Sequence, residues 1–208
     1  MERLHKVSAG FVFAFICLHF ANHFSGLFGE TAHIQFMDAV RLLYRQPVVE
    51  WAVLLAFAVQ IVTGVPLIFE IWRKKKDFIH QLQALSGLFM VLFILAHVVW
   101  VLVGRMYFYL DTNFTYAAAG LMSPPWHYAF IAFYGVGVGS LFVHMACILY
   151  DIYKKTNKTV GWILLLTTVA AGGYITWLLI MIYSGHFYPV TIPAEYAHVF
   201  SQAAPAQK

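Results

Sequence analysis

Residues 8–19 read SAGFVFAFICLH and residues 86–97 read SGLFMVLFILAH. In each, a serine opens a long apolar run, a glycine follows within two residues, and a histidine stands eleven residues after the serine. Eleven residues is about three helical turns, so serine and histidine share one helix face. An ionisable side chain deep in an apolar segment is costly in lipid and marks a functional site. His19 and His97, in matched settings, are therefore expected to grip one group between two helices. The plainer reading of a lone membrane histidine is a hydrogen bond to a neighbouring helix.

The elements that position such a pair follow from composition. The chain has 208 residues, of which 62% are hydrophobic, 18% aromatic and only 11% charged; a soluble domain carries about 25% charged residues. The expected class is all-α: an integral membrane protein with five transmembrane helices, four of them forming a haem-binding bundle. Spans and short loops use up the length, so chemistry in water is expected from partners. The net charge of +4 is concentrated in short loops, which points to topology and not to nucleic acid. Cys17 and Cys147 lie inside apolar runs and read as small buried hydrophobes. No Cys-x-x-Cys-His occurs, which argues against covalent c-type haem. The apolar run at the N-terminus is interrupted by His19, Asn22 and His23 and reads as a retained first span, not a signal peptide.

Apolar runs of about 20 residues mark spans, here over 7–28, 48–72, 82–104, 127–150 and 160–183. Pro47, Pro124 and Pro125 suit helix starts, where a missing N–H costs little. Loops 73–81 (RKKKDFIHQ) and 151–159 (DIYKKTNKT) are basic and fall on one side with Arg3 and Lys6. The opposite loops carry Glu30, Asp38 and Asp111. The positive-inside rule then places the N-terminus in the cytoplasm and the C-terminus outside, in a membrane expected to be a bacterial inner membrane. On the outer side, residues 31–46 show helical spacing at Ile34, Met37, Val40, Leu43 and Tyr44, so a short helix lying along the surface is expected.

Direction converts residue numbers into depth. His19 and His97 stand about nine and seven residues before the outer ends of their spans, a mismatch of about 3 Å. In an up-and-down bundle the first and third spans are diagonal, so a planar ring between them takes one axial imidazole from each side. That is the arrangement of one bis-histidine b-type haem. Gly10, Gly87 and Gly26 are expected to allow close approach of the macrocycle. His23, one turn above His19, is the alternative ligand. On the inner side His144 faces a second span that offers Gln60 in place of a histidine. A second haem there is not expected, and His144 is expected to bond to Gln60 or to a neighbouring carbonyl.

Quinone chemistry needs an apolar slot, polar groups at the headgroup and a proton acceptor, a role suited to imidazole. The outer candidates are His23, His33, Arg41, Tyr44, Arg45, Arg105, His127 and His186, with Arg41 and Arg45 also available to haem propionates or nearby carboxylates. Glu50 is expected to pair with Arg45, and Glu70 with the adjacent basic loop.

The five spans, the inside N-terminus and the histidines together resemble the five-helix cytochrome b membrane-anchor subunit of succinate dehydrogenases and fumarate reductases. The resemblance covers nearly the whole chain. Di-haem members place one ligand on each of the first four spans, and the matching positions are His19, Gln60, His97 and His144. The resemblance implies an outer haem on His19 and His97, and the glutamine implies loss of the inner one. It also implies an electron-transfer subunit working with membrane quinone and with cytoplasmic iron–sulfur and flavoprotein subunits, and not a complete enzyme alone. The competing expectation is a haem-free anchor for partner subunits. A transporter is disfavoured, since paired broken helices are not evident.

Overall fold

The structure, a computed structural model, describes residues 2–74 and 76–202. Among these residues the chain forms helices and no strand. They are α1 (Glu2–Ser25), continued by a 3-10 turn at Gly26–Phe28, α2 (Glu30–Tyr44), α3 (Pro47–Arg73), α4 (Phe78–Met106), α5 (Phe114–Met122), α6 (His127–Tyr153), α7 (Lys158–Tyr183) and α8 (Ala194–Gln202). Five of them, α1, α3, α4, α6 and α7, are long and apolar enough to cross a membrane. The chain is an all-α multi-pass membrane protein. In hydrocarbon a helix satisfies its own backbone groups, which is why apolar runs of this length take no other form.

The spans exceed the sequence-based edges mainly at the ends that carry the basic loops, where polar residues extend them. Lys6 pairs with Glu2 at 2.6 Å one turn away, extending α1 back to Glu2. Asp77 caps α4 by accepting the His80 N–H at 3.2 Å. Asn157 caps α7 by accepting the N–H groups of Thr159 and Val160 at 3.0 and 3.2 Å. Glu70 pairs with Lys74 at 2.6 Å, as expected.

Along the bundle α1 packs on α3, α3 on α4, α4 on α6 and α6 on α7. Buried positions in the spans are often small or polar: Thr63, Ser86, Gly137, Ser140 and Gly172. Lipid provides no hydrophobic drive between helices, so close backbone approach decides the contacts. A Cβ on Gly137 would overlap the Phe93 ring, and one on Gly172 would overlap Phe142. The neighbouring Gly135, Gly139 and Gly173 have nothing within 4 Å of that position.

Helix α2 is present as expected, but rotated. Its buried residues are His33 and Met37, and the Arg41 side chain is only 10% exposed. Leu42 and Leu43 face outward, 76% and 60% exposed. The apolar stripe read from the sequence is therefore only partly the inward one. The physical reason is that α2 closes over the end of a largely apolar cavity where a few polar groups gather, so His33 and Arg41 turn in and Leu42 and Leu43 turn toward the surroundings.

Two helices fall in segments where the sequence indicated none. α5 is almost wholly buried, with Phe114, Ala118 and Leu121 in one cluster with Leu179, Ile182 and Tyr183 of α7. Asn113 caps it by accepting from Thr115 and Tyr116 N–H groups. α8 contributes Tyr196, Val199 and Phe200 to a second cluster with Tyr116 and Trp100. Tyr116 O–H donates to the Trp100 carbonyl at 2.8 Å, and Tyr196 O–H donates to the Asp111 carbonyl at 3.1 Å.

Candidate functional site

A cavity of about 320 Å³ lies between the spans and reaches outward to α2 and α5. That volume falls within the range of small-molecule sites, about 300–1,000 Å³. His19 of α1 and His97 of α4 enter it from opposite helices. Their ring centroids are 6.2 Å apart and their planes are inclined by 72°. Each imidazole is backed by a phenylalanine one turn earlier on its own helix: Phe15 stacks on His19 at 5.7 Å and 16°, and Phe93 on His97 at 5.4 Å and 17°. Imidazole nitrogens bind first-row metal ions at about 2 Å. Two such bonds in line place the ring centroids about 6 Å apart, close to the spacing in this cavity.

His23 lies one turn above. Its Nε2 is 3.0 Å from His19 Nε2, and its Nδ1 is hydrogen-bonded to the Tyr183 hydroxyl. Either α1 histidine therefore reaches the same region of the cavity. Next to them are Asn22 and His33, 7% and 2% exposed, with Asn22 Nδ2 and His33 Nε2 at 3.3 Å. Burial first, and the Arg41 charge second, push the His33 imidazole down to about 4. At neutral pH it is uncharged, with one donor and one acceptor nitrogen.

Three guanidinium groups border the outer end. Arg41 contacts Asp111 at 2.8 Å and Asp38 at 3.5 Å. Arg45 reaches Thr112 Oγ1 at 3.3 Å and Asp111 at 3.8 Å. Arg105 pairs with Glu50. The expected Glu50–Arg45 pair is therefore replaced by Glu50–Arg105, because the outer end of α4 lies beside the start of α3. Tyr44 also lines the cavity.

Other expected residues lie elsewhere. Gly10 is exposed, and a Cβ there would meet nothing within 4 Å. Gly87 faces the His144 ring, whose Cε1 would be 3.4 Å from a Cβ there. Gly26 is buried against Ile182. His127 lies against Tyr128 with the rings tilted by 42°, and His186 is exposed beside Ser184; neither lines the cavity. Gln60 does not meet His144. It donates to the His5 carbonyl at 2.7 Å and to Ser8 Oγ, while His5 Nδ1 is 2.9 Å from Thr63 Oγ1. His144 Nδ1–H donates to the Gln83 carbonyl at 3.0 Å, the neighbouring-carbonyl alternative. His144→Ala is accordingly expected to leave any pigment at its native content per mole of protein, measured by absorbance after purification.

Asn22 and Tyr183 line the cavity, and Asp111 pairs with Arg41 at its end; the sequence did not single out any of the three as ligands. Asn22 gave a signal, a polar residue interrupting an apolar run. Asp111 and Tyr183 gave none, since both lie at ordinary loop and helix-end positions.

Among the described residues, no group of three or more His, Cys, Asp or Glu side chains is arranged to hold a bare metal ion. The His19 and His97 rings are spaced as two imidazoles would be on one iron whose remaining positions were filled by a macrocycle. The apolar walls and the outer guanidinium groups fit the body and carboxylates of such a ring. No family model matches the chain, no curated protein matches it, and no solved structure matches it.

Proposed function

We propose that the chain is a b-type haem membrane subunit that exchanges electrons with membrane quinone, of the kind seen in the anchors of succinate dehydrogenases and fumarate reductases. The observation that carries this reading is the His19–His97 pair, 6.2 Å between centroids, inside a cavity of about 320 Å³. His19 and His97 hold the haem, and Phe15 and Phe93 fix the planes of the two imidazoles by stacking. The haem supplies one-electron transfer when bound. Arg41, Arg45 and Arg105 hold its carboxylates against Asp111 and Glu50, which temper their charge. His33 and Tyr44 present polar groups to a quinone ring within the same space.

The orientation is N-terminus in the cytoplasm and C-terminus outside, in a bacterial inner membrane. Arg73, Lys74, Lys76, Lys154, Lys155 and Lys158 then form a basic cytoplasmic surface, suited to iron–sulfur and flavoprotein partners.

The test is a visible spectrum of detergent-purified protein from haem-replete cells, before and after dithionite. Sharp split α and β bands of low-spin b haem are expected, with one haem per chain. A colourless protein would overturn the reading in favour of a haem-free anchor for partner subunits.

A further inference from the structure

Asn22 and His33 are each more than nine-tenths buried and line the cavity that holds His19 and His97. They come from different elements, α1 and α2, and touch through Asn22 Nδ2 and His33 Nε2 at 3.3 Å. Beyond that contact, Asn22 Oδ1 and His33 Nδ1 are buried with no hydrogen-bond partner among the described residues. Buried polar atoms are normally paired, and leaving one unpaired is costly. The pair is therefore built for a ligand that supplies what these atoms lack.

The complement follows from the inventory of donors and acceptors. When the Asn22 amide donates to His33 Nε2, His33 carries its proton on Nδ1. That leaves one free donor, Nδ1–H, and one free acceptor, Oδ1. Turning the amide end for end reverses both roles, and a donor and an acceptor again remain. The neutral state of His33 keeps the two ring nitrogens unlike. A hydroxyl group offers a donor and acceptor lone pairs on one oxygen, whereas a carbonyl offers acceptors alone.

We propose that Asn22 and His33 bind the hydroxyl of a hydroquinone, and that the cavity thereby selects the reduced carrier over the oxidised quinone. This rests on the quinone reading above and adds to it the redox form that is recognised. A quinone carbonyl satisfies the donor of the pair and leaves its acceptor buried and unpaired. The resulting preference for hydroquinone is about tenfold.

The test uses purified full-length protein in detergent and a decyl-tailed hydroquinone, with the same molecule oxidised as the comparison. Hydroquinone is titrated under nitrogen into dithionite-reduced protein, and quinone into oxidised protein, so that no net electron transfer accompanies binding. The native protein is expected to bind hydroquinone about tenfold more tightly than quinone. In Asn22→Leu and in His33→Phe the ratio is expected to fall to about one. Equal affinity in the native protein overturns the proposal, and that measurement needs no variant. A preference that survives in both variants also overturns it. A pigmented protein with no preference removes this inference alone. A colourless protein with the preference removes the haem reading and leaves this one standing.

Discussion

Replacing His97 with alanine is expected to abolish the reduced b-haem bands while the protein accumulates in the membrane at its native level. The imidazole projects into open cavity, so its removal disturbs little packing among helices. Its contacts there are Phe93 of its own helix, Tyr134 of α6 and His19 across the space. If His19 and His97 hold a haem as proposed, loss of one of the two imidazoles would lower haem retention at least about tenfold, since even outer partners of metal ligands cost about 10–100-fold. His19→Ala should behave the same way. If His19→Ala keeps the bands and His23→Ala loses them, the ligand on α1 is His23, one turn higher. Pigment that survives His97→Ala intact would remove the central pair. The measurement is the ratio of haem absorbance to protein, with membrane level followed by immunoblot.

Gly137→Leu is expected to cost much more than Gly135→Leu, although the two glycines stand only two residues apart in α6. At Gly137 even a Cβ would overlap the Phe93 ring, and neither backbone can yield freely. At Gly135 nothing lies within 4 Å, so a leucine points into the surroundings. Forcing extra atoms into a packed contact costs about 1–3 kcal/mol or more. Phe93 also stacks on His97, so displacing it tilts the imidazole. The expected outcome is a lower melting midpoint and loss of pigment for Gly137→Leu, with native values for Gly135→Leu. Equal behaviour of the two variants would show that the α4–α6 contact is not where the glycine is needed. Thermal melting in detergent, with haem absorbance recorded in the same scan, reads both effects.

The sequence made the five spans legible because apolar runs of this length have one outcome in lipid. It also made the matching height of His19 and His97 legible, their rings lying 6.2 Å apart, because helical rise turns spacing directly into height. What it hid was rotation. In α2 the inward face is set by the cavity beneath it: His33 and Arg41 turn in beside Met37 and Ile34, while Leu43 of the apolar pattern turns out. The short helices α5 and α8 were hidden for a related reason. Each is only nine residues long and owes its form to tertiary contact, since isolated helices shorter than about 12–15 residues are marginal. Long-range choices of partner were equally beyond reach. Glu50 had Arg45 five residues away, yet it pairs with Arg105 from another helix.

The inner half of the bundle carries a consequence for traffic across the membrane. His5, Thr63, Gln60 and Ser8 plug one side of it, and His144 is tied to the Gln83 carbonyl on another. Thirteen residues of helix, roughly 20 Å, separate His19 from Lys6 at the inner rim. Among the described residues, the two histidines of the inner half, His5 and His144, are each committed to a hydrogen bond within the bundle. Under the proposed reading, electrons bound for a partner on the basic face would have to cross that distance or travel on a quinone that diffuses through the bilayer.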